Sequence, residues 1–309
     1  MIYDGHAYCI QHQNGDGGFE DRDEFQRLLQ FQMAHHFQPV WRTRDRAPGN
    51  SDALADFSRP FDVNAVKEAN FRAVRHGRYE WQDGGEAYYK QVMPPMITDM
   101  SYSADMLVAE MDYAGVDMGL LHRTPYLGIS NDFIADCCRQ HPSRLQGLAY
   151  VREWLVCADP QAALRELDRA INELGLHGLQ FLPSSSLLYG VQEDWDRDGY
   201  RPFWSAVAKM GIPVFITLVT HQVKTVDGFL EQLRVLRRFV EAYPDLPVVL
   251  THGLDWLRFV KDGKLEVARQ VYDVAPCDRA NFHVQMLFAV FLGLFFDYPM
   301  PQIKPTVAQ

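Results

Sequence analysis

Pro213-Val214-Phe215-Ile216-Thr217-Leu218-Val219 and Leu246-Pro247-Val248-Val249-Leu250-Thr251-His252-Gly253 flank a helical stretch, Phe229 to Tyr243. Each apolar run is too short for a helix, is rich in β-branched residues and contains a proline at or near its start, so each reads as a buried strand. Between them Leu230, Leu233, Leu236, Phe239 and Val240 recur at helical spacing. A strand, a helix and a second strand of this kind predict a parallel pair joined by a right-handed crossover.

The same rhythm extends towards the N-terminus. Val116 to Leu121, Leu148 to Val151 and Gly178 to Leu182 read as strands. Asn131 is expected to cap a helix over Asp132 to Gln140. Asp159-Pro160 opens another that Gly175 ends, and Pro202 to Met210 reads as a third. With Ile2-Tyr3 at the start and Asn281 to Leu287 at the end, the seven strands expected over 1–9, 116–122, 147–151, 177–182, 213–219, 247–252 and 281–287 form one curved parallel sheet in chain order. This is an α/β fold of the TIM-type (β/α) barrel class, with seven strands visible and the eighth absent. Residues 11–105 break the rhythm and read as a long insertion after strand one, a lid or an oligomer contact, within a single barrel domain over 1–309. It is expected to hold a helix from Asp23 to His36 and a hairpin at Asp83-Gly84-Gly85. Trp41, Tyr79 and Trp81 form either an aromatic lid or the insertion's own core.

Composition narrows the function. Hydrophobic residues make up 47% of the 309 and the net charge is −10, so the chain can build a large core and lacks the basic surface nucleic acid requires. No signal segment opens it, and the apolar stretch from Met286 to Phe296 is about half a membrane span, so a cytoplasmic protein without nucleic-acid or membrane partners is expected. Cys9, Cys137, Cys138, Cys157 and Cys277 show no CxxC spacing and read as buried free thiols. GxGxxG, P-loop, GxSxG and HExxH signatures are absent.

Histidines mark the strand ends, where parallel α/β folds carry their chemistry. His6 ends Met1-Ile2-Tyr3-Asp4-Gly5-His6-Ala7-Tyr8, His122-Arg123 follow the second strand and His252 the sixth. His6, with Asp4, is a candidate metal ligand or a buried histidine bonded to Asp4 or a loop carbonyl. His252 is a candidate acid–base group, because imidazole titrates near neutrality. Asp255 is a helix cap or a second acid. Arg123 and His122 suit a carboxylate, Arg by its bidentate fork. Gln180, Tyr8 and His221 are further candidate substrate contacts.

The strand-end order resembles the amidohydrolase-related metallo-enzymes, the branch that includes aminocarboxymuconate-semialdehyde decarboxylase and resorcylate-type decarboxylases. The similarity rests on Ile2 to Tyr8, Tyr113-Ala114-Gly115-Val116-Asp117, Pro142 to Ala149, Gly175 to Pro183, Gly211-Ile212-Pro213-Val214 and Val249 to Gly253. It implies a barrel with a divalent metal, zinc or manganese, at its C-terminal mouth. The family's Asp-x-His-x-His keeps Asp4 and His6 but has Tyr8 for its second histidine. Thr217 stands where the fifth-strand histidine is expected, His252 matches the sixth, and no eighth-strand Asp segment is seen. The metal is therefore expected to be weakly held or absent. Two functions follow: an enzyme, a hydrolase or decarboxylase (lyase), acting on a small aromatic or conjugated carboxylate by hydrolysis or non-oxidative decarboxylation, or a non-catalytic relative that binds a small molecule or a partner. The open seventh-to-first edge predicts a homo-oligomer.

Overall fold

Strands buried on both faces need neighbours that pair in the same direction and helices to cover them. A computed structural model describes residues 1–191, 194–218, 225–252, 260–261, 264–265 and 269–284. These fall in two compact units, Met1–Gln192 and Glu193–Gln309.

In the first unit β1 (Tyr3–Ala7) leads into α1 (Arg22–His35), then β2 (Val40–Arg42), β3 (Arg72–Ala73), β4 (Arg78–Asp83) and β5 (Glu86–Gln91). After these come α2 (Ala104–Ala114), β6 (Met118–Leu121), α3 (Asn131–Gln140), β7 (Leu145–Gly147), β8 (Ala149–Tyr150), α4 (Pro160–Asn172), β9 (Leu179–Phe181) and α5 (Pro183–Leu188). β1, β6 and β7 pair in parallel in that order, and β8 pairs in parallel with β9. β7 and β8 are the two halves of the expected third strand. The Leu148 N–H donates to Leu121 O at 3.0 Å on one side, while His177 N–H donates to Gly147 O at 2.9 Å and Ala149 N–H to Gly178 O at 2.7 Å on the other. α3 presses hard on this strand: a Cβ on Gly147 would lie 2.4 Å from Ile134 Cγ2. Parallel strands in chain order under covering helices are the arrangement of a TIM-type (β/α) barrel, and the chain has that fold.

The helix starts follow local hydrogen bonding. Asp159 caps α4 by accepting from Ala162 N–H at 2.9 Å, as expected. At α3 the cap is Ser130, accepting from Phe133 N–H at 3.1 Å, and the expectation that Asn131 caps is corrected. The Asn131 side chain bonds to β8 instead. Its oxygen accepts from Tyr150 N–H at 2.8 Å and its amide donates to Tyr150 O at 2.9 Å, so it pairs with that strand as a neighbouring strand would.

The segment after β1 is more than a helix and a hairpin. β2, β5, β4 and β3 form a four-stranded antiparallel sheet, turned at Gly84-Gly85 with φ of 55° and 82°, the left-handed pair a two-residue hairpin requires. Tyr79 and Trp81 are fully buried in it, and the Tyr79 hydroxyl donates to Gln13 Oε1 at 2.8 Å, so both are core residues of this sheet. Lys90 of β5 is also buried. Its Nζ donates to Met33 O at 2.6 Å and His36 O at 2.8 Å, closing the open C-terminal turn of α1. Desolvation pushes this amine down to about 8.

The second unit holds α6 (Arg201–Met210), β10 (Val214–Thr217), α7 (Val226–Ala242), β11 (Val248–Thr251), a two-stranded antiparallel ribbon of β12 (Val260–Lys261) and β13 (Lys264–Leu265), α8 (Arg269–Val274) and β14 (Phe282–Val284). β10, β11 and β14 pair in parallel in chain order, with Thr217 beside Thr251. Trp204 of α6 and Phe239 of α7 meet edge to face at 4.7 Å. Residues 285–287 of the last expected strand lie outside the described residues. Among the described residues, no helix is long and apolar enough to cross a membrane.

Lys90→Met should lower the unfolding free energy by about 2 kcal/mol, because two buried carbonyls lose a charged donor. Urea unfolding measures this, and an unchanged midpoint would show that the α1 carbonyls do not need Lys90.

Candidate active site

The site begins with an irregular strand. Asp4 pairs with Gly119 and Ala7 with Leu121, so β1 spends three steps where β6 spends two. That is a β-bulge, a device that re-aims a side chain next to a site. Asp4 Oδ1 accepts from His6 N–H at 2.9 Å and holds the extra residue in place. The His6 ring then lies over that of His122, centroids 3.9 Å apart and planes 30° from parallel. His122 follows β6 directly. Its N–H donates to Ala7 O at 2.8 Å and its Nε2–H to Gly5 O at 2.8 Å, and it is fully buried.

His6 Nε2 sits 2.7 Å from the Tyr8 hydroxyl. Desolvation raises the Tyr8 pKa well above the ordinary phenol value, so Tyr8 keeps its proton and can donate it to this nitrogen. His6, Tyr8 and His122 are thus brought together at the C-terminal ends of β1 and β6. Asp4 joins them through the backbone of His6.

Arg123 is fully buried next to this cluster, and its charge acts on Tyr8. Its neighbours are Cys9, Cys137, Tyr150 and Tyr8, with the Phe133 ring 6.0 Å from the guanidinium carbon. None of its three guanidinium nitrogens has a hydrogen-bond partner among the described residues. Desolvation pushes its pKa down to about 10, which leaves it cationic at neutral pH. Gln180, on β9, is buried beside its ladder partner Tyr150.

His252 belongs to the second unit. It follows β11 with φ of 65°, a left-handed conformation uncommon for histidine and often found at functional sites. The residue keeps exposed surface, yet desolvation of the ring lowers its pKa to about 4, which leaves a neutral imidazole at pH 7. Thr217 and Thr251 close β10 and β11, both buried. Asp255 and His221 lie outside the described residues.

Sequence reasoning passed over Glu153. It lies in the turn after β8, fully buried, with its Oε1 accepting from Leu182 N–H at 2.8 Å and its Oε2 joined to the Tyr150 hydroxyl. Desolvation raises its carboxyl to about 8, against the hydrogen bonds to Tyr150 and Leu182. The signal was there: a lone carboxylate in Val151-Arg152-Glu153-Trp154, two residues past an apolar strand.

Asp4 and His6 are the first-strand residues of the metal pattern. The described residues contain no group of three or more His, Cys, Asp or Glu able to hold a metal ion. His6 Nε2 is engaged by Tyr8 and the near oxygen of Asp4 by a backbone N–H. A catalytic zinc ordinarily takes three protein ligands. The described residues therefore do not fit a metal by themselves.

The amidohydrolase family model matches residues 34–253. The chain belongs to the amidohydrolase family. Among curated relatives, the γ-resorcylate decarboxylase of Rhizobium radiobacter is 32% identical over 95 residues, which are 28% of this chain and 26% of that protein. The match thus spans about a quarter of the length of that relative. Similar solved structures include an uncharacterised TIM-barrel protein from Bordetella bronchiseptica (19% identity, 59% of this chain and 58% of that one, TM-score 0.45). A dihydroxybenzoic acid decarboxylase from Polaromonas sp. JS666, solved with bound manganese and the inhibitor 2-nitroresorcinol, is 20% identical over 60% of this chain and 68% of that one, with a TM-score of 0.42.

A carboxyl whose folded pKa is raised contributes stability below its unfolded value, near 4.3, and loses it as pH climbs through the folded value of about 8. Wild-type protein should therefore melt at a lower temperature at pH 8.5 than at pH 5.5, and Glu153→Gln should flatten part of that slope. Thermal unfolding at both pH values is the check. An identical slope in the variant would mean that Glu153 ionises freely.

Proposed function

We propose that this chain is a non-oxidative decarboxylase of the amidohydrolase family, acting on a small aromatic carboxylate. The observation that carries the reading is the His6–Tyr8–His122 cluster at the C-terminal strand ends, where barrel enzymes of this class keep their chemistry. The match to γ-resorcylate decarboxylases supports the choice of decarboxylation over hydrolysis.

In such a reaction the bond from ring carbon to carboxylate carbon breaks. Its electron pair stays on the ring, carbon dioxide leaves, and the ring carbon takes up one proton. The hydrogen-bonded pair of Tyr8 and His6 is suited to hold and move that proton, and the buried His122 ring packs against that of His6. The buried Arg123 charge favours an anion near Tyr8. His252, which follows β11 at a strand end, is a separate candidate site group.

The test is turnover of 2,6-dihydroxybenzoate and related hydroxybenzoates, followed by carbon dioxide release, with and without added manganese or zinc. Wild type should turn over at least one of them, and His6→Ala should lower kcat/KM by about a hundredfold. Elemental analysis of the isolated protein should find less than one metal per chain. The lack of a three-ligand group among the described residues favours a second reading, a binding protein without catalysis. Saturable binding of these carboxylates without turnover, metal added or not, would establish that reading and overturn the first.

A further inference from the structure

A buried cation is costly unless an anion or a set of acceptors meets it. Arg123, just past the end of β6, has 0% exposed surface, and Nε, Nη1 and Nη2 all lack a hydrogen-bond partner among the described residues. A guanidinium carries five N–H donors in a fixed fork, and buried donors in folded proteins are rarely left unpaired. Around it lie phenols, thiols and the Phe133 ring, whose centre is 6.0 Å from the guanidinium carbon. No carboxylate bonds to it among the described residues.

Two loops close over this side chain. Ile129 N–H donates to Gly17 O at 2.6 Å, which ties the loop after β6 to the loop after β1. Gly128 lets them meet. Its φ is 105°, and a Cβ on it would lie 2.7 Å from Gln11 Oε1, 3.0 Å from Gly17 O and 3.3 Å from Arg123 Nη2. One point in the loop is therefore within contact distance of both the guanidinium and the Gln11 amide. Gln11 Oε1 is itself buried and has no hydrogen-bond partner among the described residues, while Gln11 as a whole keeps some exposed surface. An unpaired fork and an unpaired amide thus come together below the surface, and the half-buried Gln11 marks the way in from solvent.

We propose that Arg123 and Gln11 form a site for a small free monovalent anion of about the size of chloride, which neutralises the guanidinium inside the first unit. The fork donates to the anion. A half-turn of the Gln11 terminal amide brings its NH2 group to the same place, and the amide oxygen gives up no hydrogen bond in turning. The sequence suggests a carboxylate for this fork, but its closure by two touching loops favours a smaller partner. A ring carried on a carboxylate would have to push apart the loops that Gly17 and Ile129 join. Nothing in this site depends on the proposed reaction. Its effect on the neighbouring cluster is electrostatic: the Arg123 charge favours the ionised form of Tyr8, and a bound anion cancels that pull.

The test is thermal unfolding of the full chain in sodium chloride against sodium methanesulfonate at equal ionic strength. Wild type should melt higher in chloride, with a rise that saturates as a single site fills. Gln11→Glu sets a carboxylate beside the fork, so it should melt in methanesulfonate at least as high as wild type and lose the chloride response. Arg123→Met should lose that response as well. Wild-type crystals soaked in bromide decide the matter even if neither variant folds: an anomalous peak should touch the Arg123 guanidinium. An equal response to both salts, or bromide found only at the surface as an adventitious ion, would overturn the proposal. So would competition between chloride and 2,6-dihydroxybenzoate in titration calorimetry, which would give Arg123 to the carboxylate of that compound.

Discussion

The hydrogen bond from His6 N–H to Asp4 Oδ1 places everything that follows in the first unit. A regular β1 would point residues 4, 6 and 8 to one face in step with β6, and the His6 and His122 rings would compete for the same height. The bulge adds one residue to β1 without adding one to β6. It lets the two rings meet at 3.9 Å, tilted by 30°, and leaves Gly5 O facing His122 Nε2. Asp4, the first acid of the family pattern, thus works as a backbone brace.

Tyr8 changes what His6 can do. A histidine at position 8 would offer a second lone pair to a cation. A phenol whose pKa is raised by burial stays protonated and satisfies the first lone pair instead. The pair is suited to move a proton, whereas two imidazoles would be suited to hold a metal. Thr217 makes a similar exchange at the end of β10, where it sits beside Thr251.

Much of the fold was legible because its strands are apolar runs with proline or glycine at their borders, and their buried faces leave few alternatives. All seven strands expected from the pattern appear at least in part, and α4, α6 and α7 begin and end within a few residues of expectation. The misses have physical causes. Ser130 and Asn131 are both good caps, and the tie was broken by Tyr150, whose backbone required the Asn131 amide. The antiparallel sheet of the insertion was hidden because β2 and β3 are three and two residues long and gain their identity from β5 and β4. At the site, His6, Tyr8 and His122 could be named from strand ends, since neighbouring strands converge there. Glu153 shows locally only as a lone carboxylate just past a strand, and its burial depends on Tyr150 and Leu182, the latter far along the chain.

The central claim is that Asp4 acts through its oxygen on the His6 backbone, and not through its charge on a ligand or metal. Isothermal titration of 2,6-dihydroxybenzoate against Asp4→Asn and Asp4→Ala separates the two. Asn keeps an oxygen that can accept from His6 N–H, so Asp4→Asn should bind within about twofold of wild type, while Asp4→Ala should lose about tenfold, or ~1.4 kcal/mol. Equal and large losses in both variants would show that the negative charge is what matters, and would return Asp4 to the role of a ligand.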